Sequence, residues 1–142
     1  MDAAAQSAAE QECHRALVGF FGSIDRRDYA RALSFVTDDV VWKTRKSDLR
    51  GADQVRRQLE ARSPDRLVIH LLSGIDIEIG DADHAVAHSY IVVYSHDRSG
   101  GAPPPYPLTR PLTVGTYTDH LVRQDGRWRI SSKILEVLFQ AQ

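Results

Sequence analysis

Residues 66–79 read Arg66-Leu67-Val68-Ile69-His70-Leu71-Leu72-Ser73-Gly74-Ile75-Asp76-Ile77-Glu78-Ile79. The run is long, rich in isoleucine and valine, and bounded by Ser63-Pro64-Asp65 and by Gly80-Asp81-Ala82-Asp83, which marks one long strand leading into a hairpin. Its parity carries a contradiction. Ile69, Leu71, Ile75, Ile77 and Ile79 share one face, and His70 shares the other with Asp76 and Glu78, which would send His70 to solvent. A bulge or bend at Ser73-Gly74 resolves it by letting each half choose its own buried face, so that His70 turns inward.

Working outward, His84 to His96 forms the return strand, and Leu112 to Arg123 turns through Gln124-Asp125-Gly126-Arg127 into Trp128 to Phe139. Between these two hairpins lies Asp97 to Pro111, whose glycines and prolines suit a pocket rim better than a tight connection. Upstream, Ala16, Leu17, Phe20, Phe21 and Ile24 recur at helical spacing from about Ser7. Residues 1–6 are expected to be disordered. A second helix follows from the cap Asp28 through Phe35, then a turn at Thr37-Asp38-Asp39, a short strand Val40–Lys43, and a third helix opened by Gly51-Ala52-Asp53 and running through Leu59. Helices first and an antiparallel meander after give an α+β domain: a cone in which a strongly bent antiparallel, or mixed, sheet wraps the first helix.

Composition narrows the function. The 142 residues carry a net charge of −1 with both signs interspersed and make one domain. There is no basic stripe for nucleic acid and no apolar run long enough for a membrane. The single Cys13 excludes an intramolecular disulfide and a cysteine-rich zinc site; a free thiol fits the cytoplasm. His84 and His88 share a strand face, but no carboxylate or cysteine stands beside them at ligand spacing, so no metal is expected.

Four polar or amphipathic residues occupy positions that call for a partner or a function. They are Asp25 at the end of the first helix, Trp42 on the first strand, His70, and Lys133 interrupting the last strand. Each also has an ordinary reading, as turn residue, core tryptophan, satisfied core histidine and snorkelling lysine.

The segments Gly22 to Asp28, Thr37-Asp38-Asp39-Val40-Val41-Trp42, Ile69-His70, Gly115 to Asp119 and Asp125-Gly126-Arg127-Trp128-Arg129-Ile130 together resemble the SnoaL-like branch of the nuclear transport factor two-like superfamily, over nearly the whole chain. Within that branch, scytalone dehydratase and hexachlorocyclohexane dehydrochlorinase pair an aspartate ending helix one with a histidine on the long strand. The resemblance puts these at Asp25 and His70. It also puts the dehydrochlorinase's tryptophan at Trp42 and its last-strand arginine at Lys133, while Phe20 stands where that enzyme has a lysine that helps bind the leaving anion.

What the resemblance implies is a cofactor-free lyase or dehydratase acting on a small, cyclic or aromatic, carbonyl-activated substrate. His70 would be the base, Asp25 its orienting partner, and Lys133 or a tyrosine the electrophilic aid. Phe20, Trp42, Tyr90, Tyr94 and Tyr117 are the candidate substrate-binding residues, with the inward-facing tyrosines left open. The superfamily also contains non-catalytic ligand-binding or subunit-interaction domains, and isomerases and cyclases in which a carboxylate alone moves the proton; both remain alternatives. A homo-oligomer, trimer or dimer, is expected through the outer sheet face.

Overall fold

A computed structural model describes residues 1–142. The order of elements is α1 (Ala3–Asp25), α2 (Tyr29–Leu33), β1 (Val36–Lys43), β2 (Asp48–Arg50), α3 (Ala52–Glu60), β3 (Arg66–Ile79), β4 (His84–Asp97), β5 (Thr113–Gln124) and β6 (Arg127–Gln140). The six strands form one open sheet in the order β2-β1-β6-β5-β4-β3. All neighbours are antiparallel except β1 and β6, so the sheet is mixed. It curls around α1 into the expected α+β cone.

Helix α1 starts at Ala3, ahead of the expected Ser7, because the Asp2 carboxylate caps the Ala5 N–H at 2.7 Å. Residues 3–6 are therefore its first turn, in place of the expected disorder. Its apolar stripe, from Ala9 through Cys13, Ala16, Leu17, Phe20 and Phe21 to Ile24, is buried against the sheet. Burial pushes the Cys13 thiol up to about 12 and keeps it protonated. Two boundaries differ from expectation further on. Thr37-Asp38-Asp39 lies inside β1, where the register against β6 shifts between Val36 and Val41. The three-residue β2 carries too little pattern to be read from sequence. No helix is long and apolar enough to cross a membrane.

The parity break in β3 is real. Register against β4 shifts between Ser73 and Asp76, and Gly74 adopts φ 58°. Val68, His70 and Leu72 point inward before it, and Ile75, Ile77 and Ile79 after it. Tyr90, opposite Ser73, lays its ring over Gly74 on the outer surface, where a Cβ on residue 74 would meet the ring at 2.8 Å. Gly74→Ala should therefore cost about 1–2 kcal/mol for the left-handed backbone alone. Denaturant midpoints would show it, and Tyr90→Ala in the same chain should relieve only the steric part. A variant as stable as the parent would mean that the backbone at 74 is not left-handed.

Strand β6 also breaks phase. Its register against β5 shifts between His120 and Leu121, leaving Ser131 as an extra residue whose hydroxyl bonds the His120 carbonyl at 3.1 Å. Ile130 faces the core before this bulge and Lys133 after it. A second shift, between Val114 and Gly115, comes where the β6 backbone crosses so close that a Cβ on Gly115 would collide with the Glu136 carbonyl oxygen.

Candidate active site

Three elements meet at one end of the cone. Helix α1 ends on Asp25, and the chain turns sharply through Arg27 at φ 61°. The Arg27 guanidinium donates to the carbonyls of Ser63 at 2.6 Å and Arg66 at 2.8 Å, tying this turn to the start of β3. Because β3 is an edge strand, His70 has a backbone N–H with no strand beside it. Asp25 satisfies that N–H. One carboxylate oxygen accepts it at 2.8 Å, and the other meets His70 Nδ1 at 2.6 Å. The side chains are 13% and 8% exposed, respectively.

With the carboxylate ionised and the imidazole neutral, Nδ1 is the donor and the lone pair is on Nε2, which has no hydrogen-bond partner in the protein. The Phe21 ring stacks on the imidazole with centroids 4.5 Å apart and planes 22° from parallel, so the ring is held on its edge and on its face.

His70 lines a cavity of about 430 Å³, within the roughly 300–1,000 Å³ usual for small-molecule sites. Val68, Ile91, Val93, Leu112 and Leu135 form its apolar wall; Trp42 and Tyr117 join them. Trp42 Nε1 donates to the Tyr117 hydroxyl oxygen at 3.1 Å, which leaves the phenolic proton free to point elsewhere. Burial raises the Tyr117 pKa well above the ordinary range, so the phenol stays a donor. Polar groups at the same cavity come from the β1–β2 turn (Thr44, Arg45, Lys46), from α3 and its exit (Gln58, Arg62), from Arg66 and Ser95, and from Thr113. A larger groove, about 840 Å³, runs outside between α1 and the Ile75–Ile77 part of β3 and contains neither dyad residue.

Of the residues singled out from sequence, Asp25, His70, Trp42 and Tyr117 come together here. Lys133 does not reach the cavity. It is 0% exposed, bonded to Asp119 at 2.9 Å, and its ammonium lies 4.6, 4.8 and 5.4 Å from the ring centres of Tyr117, Phe21 and Phe20. The bulge at Ser131 turns it into the core behind the aromatic wall. Burial draws the Lys133 pKa down and pushes that of Asp119 up, each opposed by the attraction of the other. Phe20 is likewise core, edge-on to Phe21 and Trp42. Tyr90 and Tyr94 are on the wrong face: the inward positions of β4 are the odd ones, and Tyr94 pairs with Ile69 on the outside. Phe21, Arg62 and Thr113 are the site residues that the sequence did not single out; Phe21 shares the apolar face of Phe20, whereas the other two carry no distinguishing pattern.

A SnoaL-like domain profile matches residues 5–133. Among solved structures, a hexachlorocyclohexane dehydrochlorinase (LinA) of type 2 superposes with a TM-score of 0.82 at 16% identity, covering 99% of this chain and 92% of its own. A protein from Novosphingobium aromaticivorans assigned as a scytalone dehydratase gives 0.81 at 15% identity, covering 99% and 91%. An aspartate-to-asparagine variant of Rv3472, a protein of unknown function from Mycobacterium tuberculosis, gives 0.76 at 22% identity, covering 92% and 76%. No curated protein matches the sequence closely enough to count as a relative. At these identities the structures share the fold, and the profile match over most of the length shows that this chain belongs to the SnoaL-like domain family.

Proposed function

We propose that the protein is a cofactor-free lyase that eliminates water, or a similar group, from a small carbonyl-activated substrate with His70 as base. The observation that carries this reading is the double grip of Asp25 on His70, which leaves Nε2 as the free basic atom at the cavity. Nε2 takes the proton next to the carbonyl. The C–H electron pair moves into an enolate, whose oxygen the Tyr117 phenol stabilises, and then forms the new C=C bond as the C–O bond breaks. The departing hydroxide takes the proton back from the imidazolium and leaves as water, so the enzyme returns unchanged.

Because both Asp25 oxygens are engaged by His70, His70 is better placed as base than Asp25, which disfavours the isomerase-like alternative. The test is a panel of small cyclic β-hydroxy ketones and phenols followed by NMR in D₂O, which reads both elimination and proton exchange at carbon. Binding without exchange or elimination in any of them would favour the ligand-binding alternative.

We also propose that copies associate through the outer sheet face, where Ile69, Leu71, Tyr90, Ile134, Leu138 and Phe139 are exposed. Light scattering should give a dimer or trimer, and Leu71→Lys with Tyr90→Lys should shift it toward monomer. A parent that is monomeric at high concentration would refute this.

A further inference from the structure

The cationic end of the cavity is unbalanced. Arg45, Lys46, Arg62 and Arg66 line it, and no carboxylate does. Arg62 is the informative one. It is half-buried where α3 leaves for β3, and its guanidinium makes no hydrogen bond and no ion pair. Besides burial, it feels the Tyr29 phenol and then the carboxylate of Asp25, which is fully taken up by His70, while the Arg27 charge opposes both. Burial accordingly pulls the Arg62 pKa below its ordinary value. A guanidinium presents five donors in a planar fork, and leaving them desolvated without an acceptor is costly.

We infer that the substrate is an acid, a small molecule whose carboxylate docks on Arg62 and places the reacting carbon at His70. The inference rests on the elimination reading above and names the substrate class for it. The carboxylate is an anchor here, bound through paired N–H···O bonds. A separate carbonyl on the same molecule activates the C–H. Arg45 and Lys46, on the β1–β2 turn and also without side-chain partners, add positive potential at the entrance that draws anions in.

Benzoate and its neutral isostere benzamide are the probes, titrated calorimetrically into the parent, Arg62→Gln, Arg62→Lys and His70→Gln. Benzoate should bind the parent at least about 10-fold more tightly than benzamide. It should lose about 10- to 100-fold in Arg62→Gln, with benzamide little changed, and recover partly in Arg62→Lys. It should also shift the His70 ring signals and still bind His70→Gln. Equal affinity for the two probes, or indifference of benzoate to both Arg62 variants, overturns the inference, and Arg62→Lys carries the test of Arg62 if Arg62→Gln fails to fold. Binding and turnover separate the two readings. If benzoate depends on Arg62 while His70 variants turn over normally, the elimination reading fails alone; if His70 variants are inactive and benzoate ignores Arg62, the acid anchor fails alone.

Discussion

Replacing His70 with alanine is expected to lower turnover by about 10²- to 10⁴-fold, the usual worth of a positioned general base. Asp25→Asn should cost nearly as much, for a reason visible in the geometry. The carboxylate accepts two donors with two oxygens, the His70 backbone N–H and Nδ1–H. Asparagine has one oxygen. If it keeps the backbone bond, its NH₂ group faces Nδ1 and drives the proton onto Nε2, the atom that must be free to act. Nitrogen-15 shifts of His70 would read this directly: the Nδ1–H tautomer in the parent and the Nε2–H tautomer in Asp25→Asn. Normal turnover in both variants would remove His70 from the chemistry. An unchanged tautomer alongside lost turnover would give Asp25 a different role.

The second large effect concerns folding. Lys133→Met leaves Asp119 charged and alone at 1% exposure, which should cost about 3–5 kcal/mol, a large part of the 5–15 kcal/mol typical of a domain this size. The loss should depend on pH with a definite sign. Burial already raises the Asp119 pKa in the folded protein, and without Lys133 only the weaker pull of His120 and His88 opposes it. A carboxyl that stays protonated longer in the folded state than in the unfolded one costs nothing below its unfolded value, near pH 4, and progressively more as pH rises. The variant should therefore come nearest to the parent in acid and fall away toward neutrality. Replacing both partners, Lys133→Met with Asp119→Leu, should recover most of the stability, because an apolar pair of similar volume needs no compensation. A single variant as stable as the parent at pH 7 would mean that the pair is not buried. A folded double variant that had lost turnover would bring Lys133 back into the reaction, despite its place behind the aromatic wall.

Much of this molecule can be read from its sequence, and the gaps have physical causes. Helical spacing exposes α1, and the parity clash around Ser73-Gly74 forecasts the bulge that brings His70 inward. Asp25 and His70 stand out through the family resemblance, and they do meet. The tyrosines cannot be sorted from sequence, because the phase of β4 is set by its register with β3 and β5, which is a tertiary fact. Lys133 is misplaced by the sequence because nothing in Ser131-Ser132 announces a bulge, so its direction cannot be followed through the strand. Arg62 is invisible for a plainer reason: a charged residue beside a helix-breaking Ser-Pro-Asp turn normally faces water, and only the curl of the open sheet, which brings β3 and β4 residues around the same cavity, gives it a ligand-sized space to face.

The inversion at Gly74 divides β3 into two strands with separate obligations. Before it, inward positions 68 and 70 touch ligand space; after it, inward positions 75, 77 and 79 hold the sheet to α1. The chain can thus explore new substrates through the first half while the second half keeps the core assembled. A library confined to Val68, which lines the cavity outside the core cluster, would sample specificity at small cost in stability, whereas one residue inserted or deleted near Gly74 would exchange the two vocabularies and ruin both.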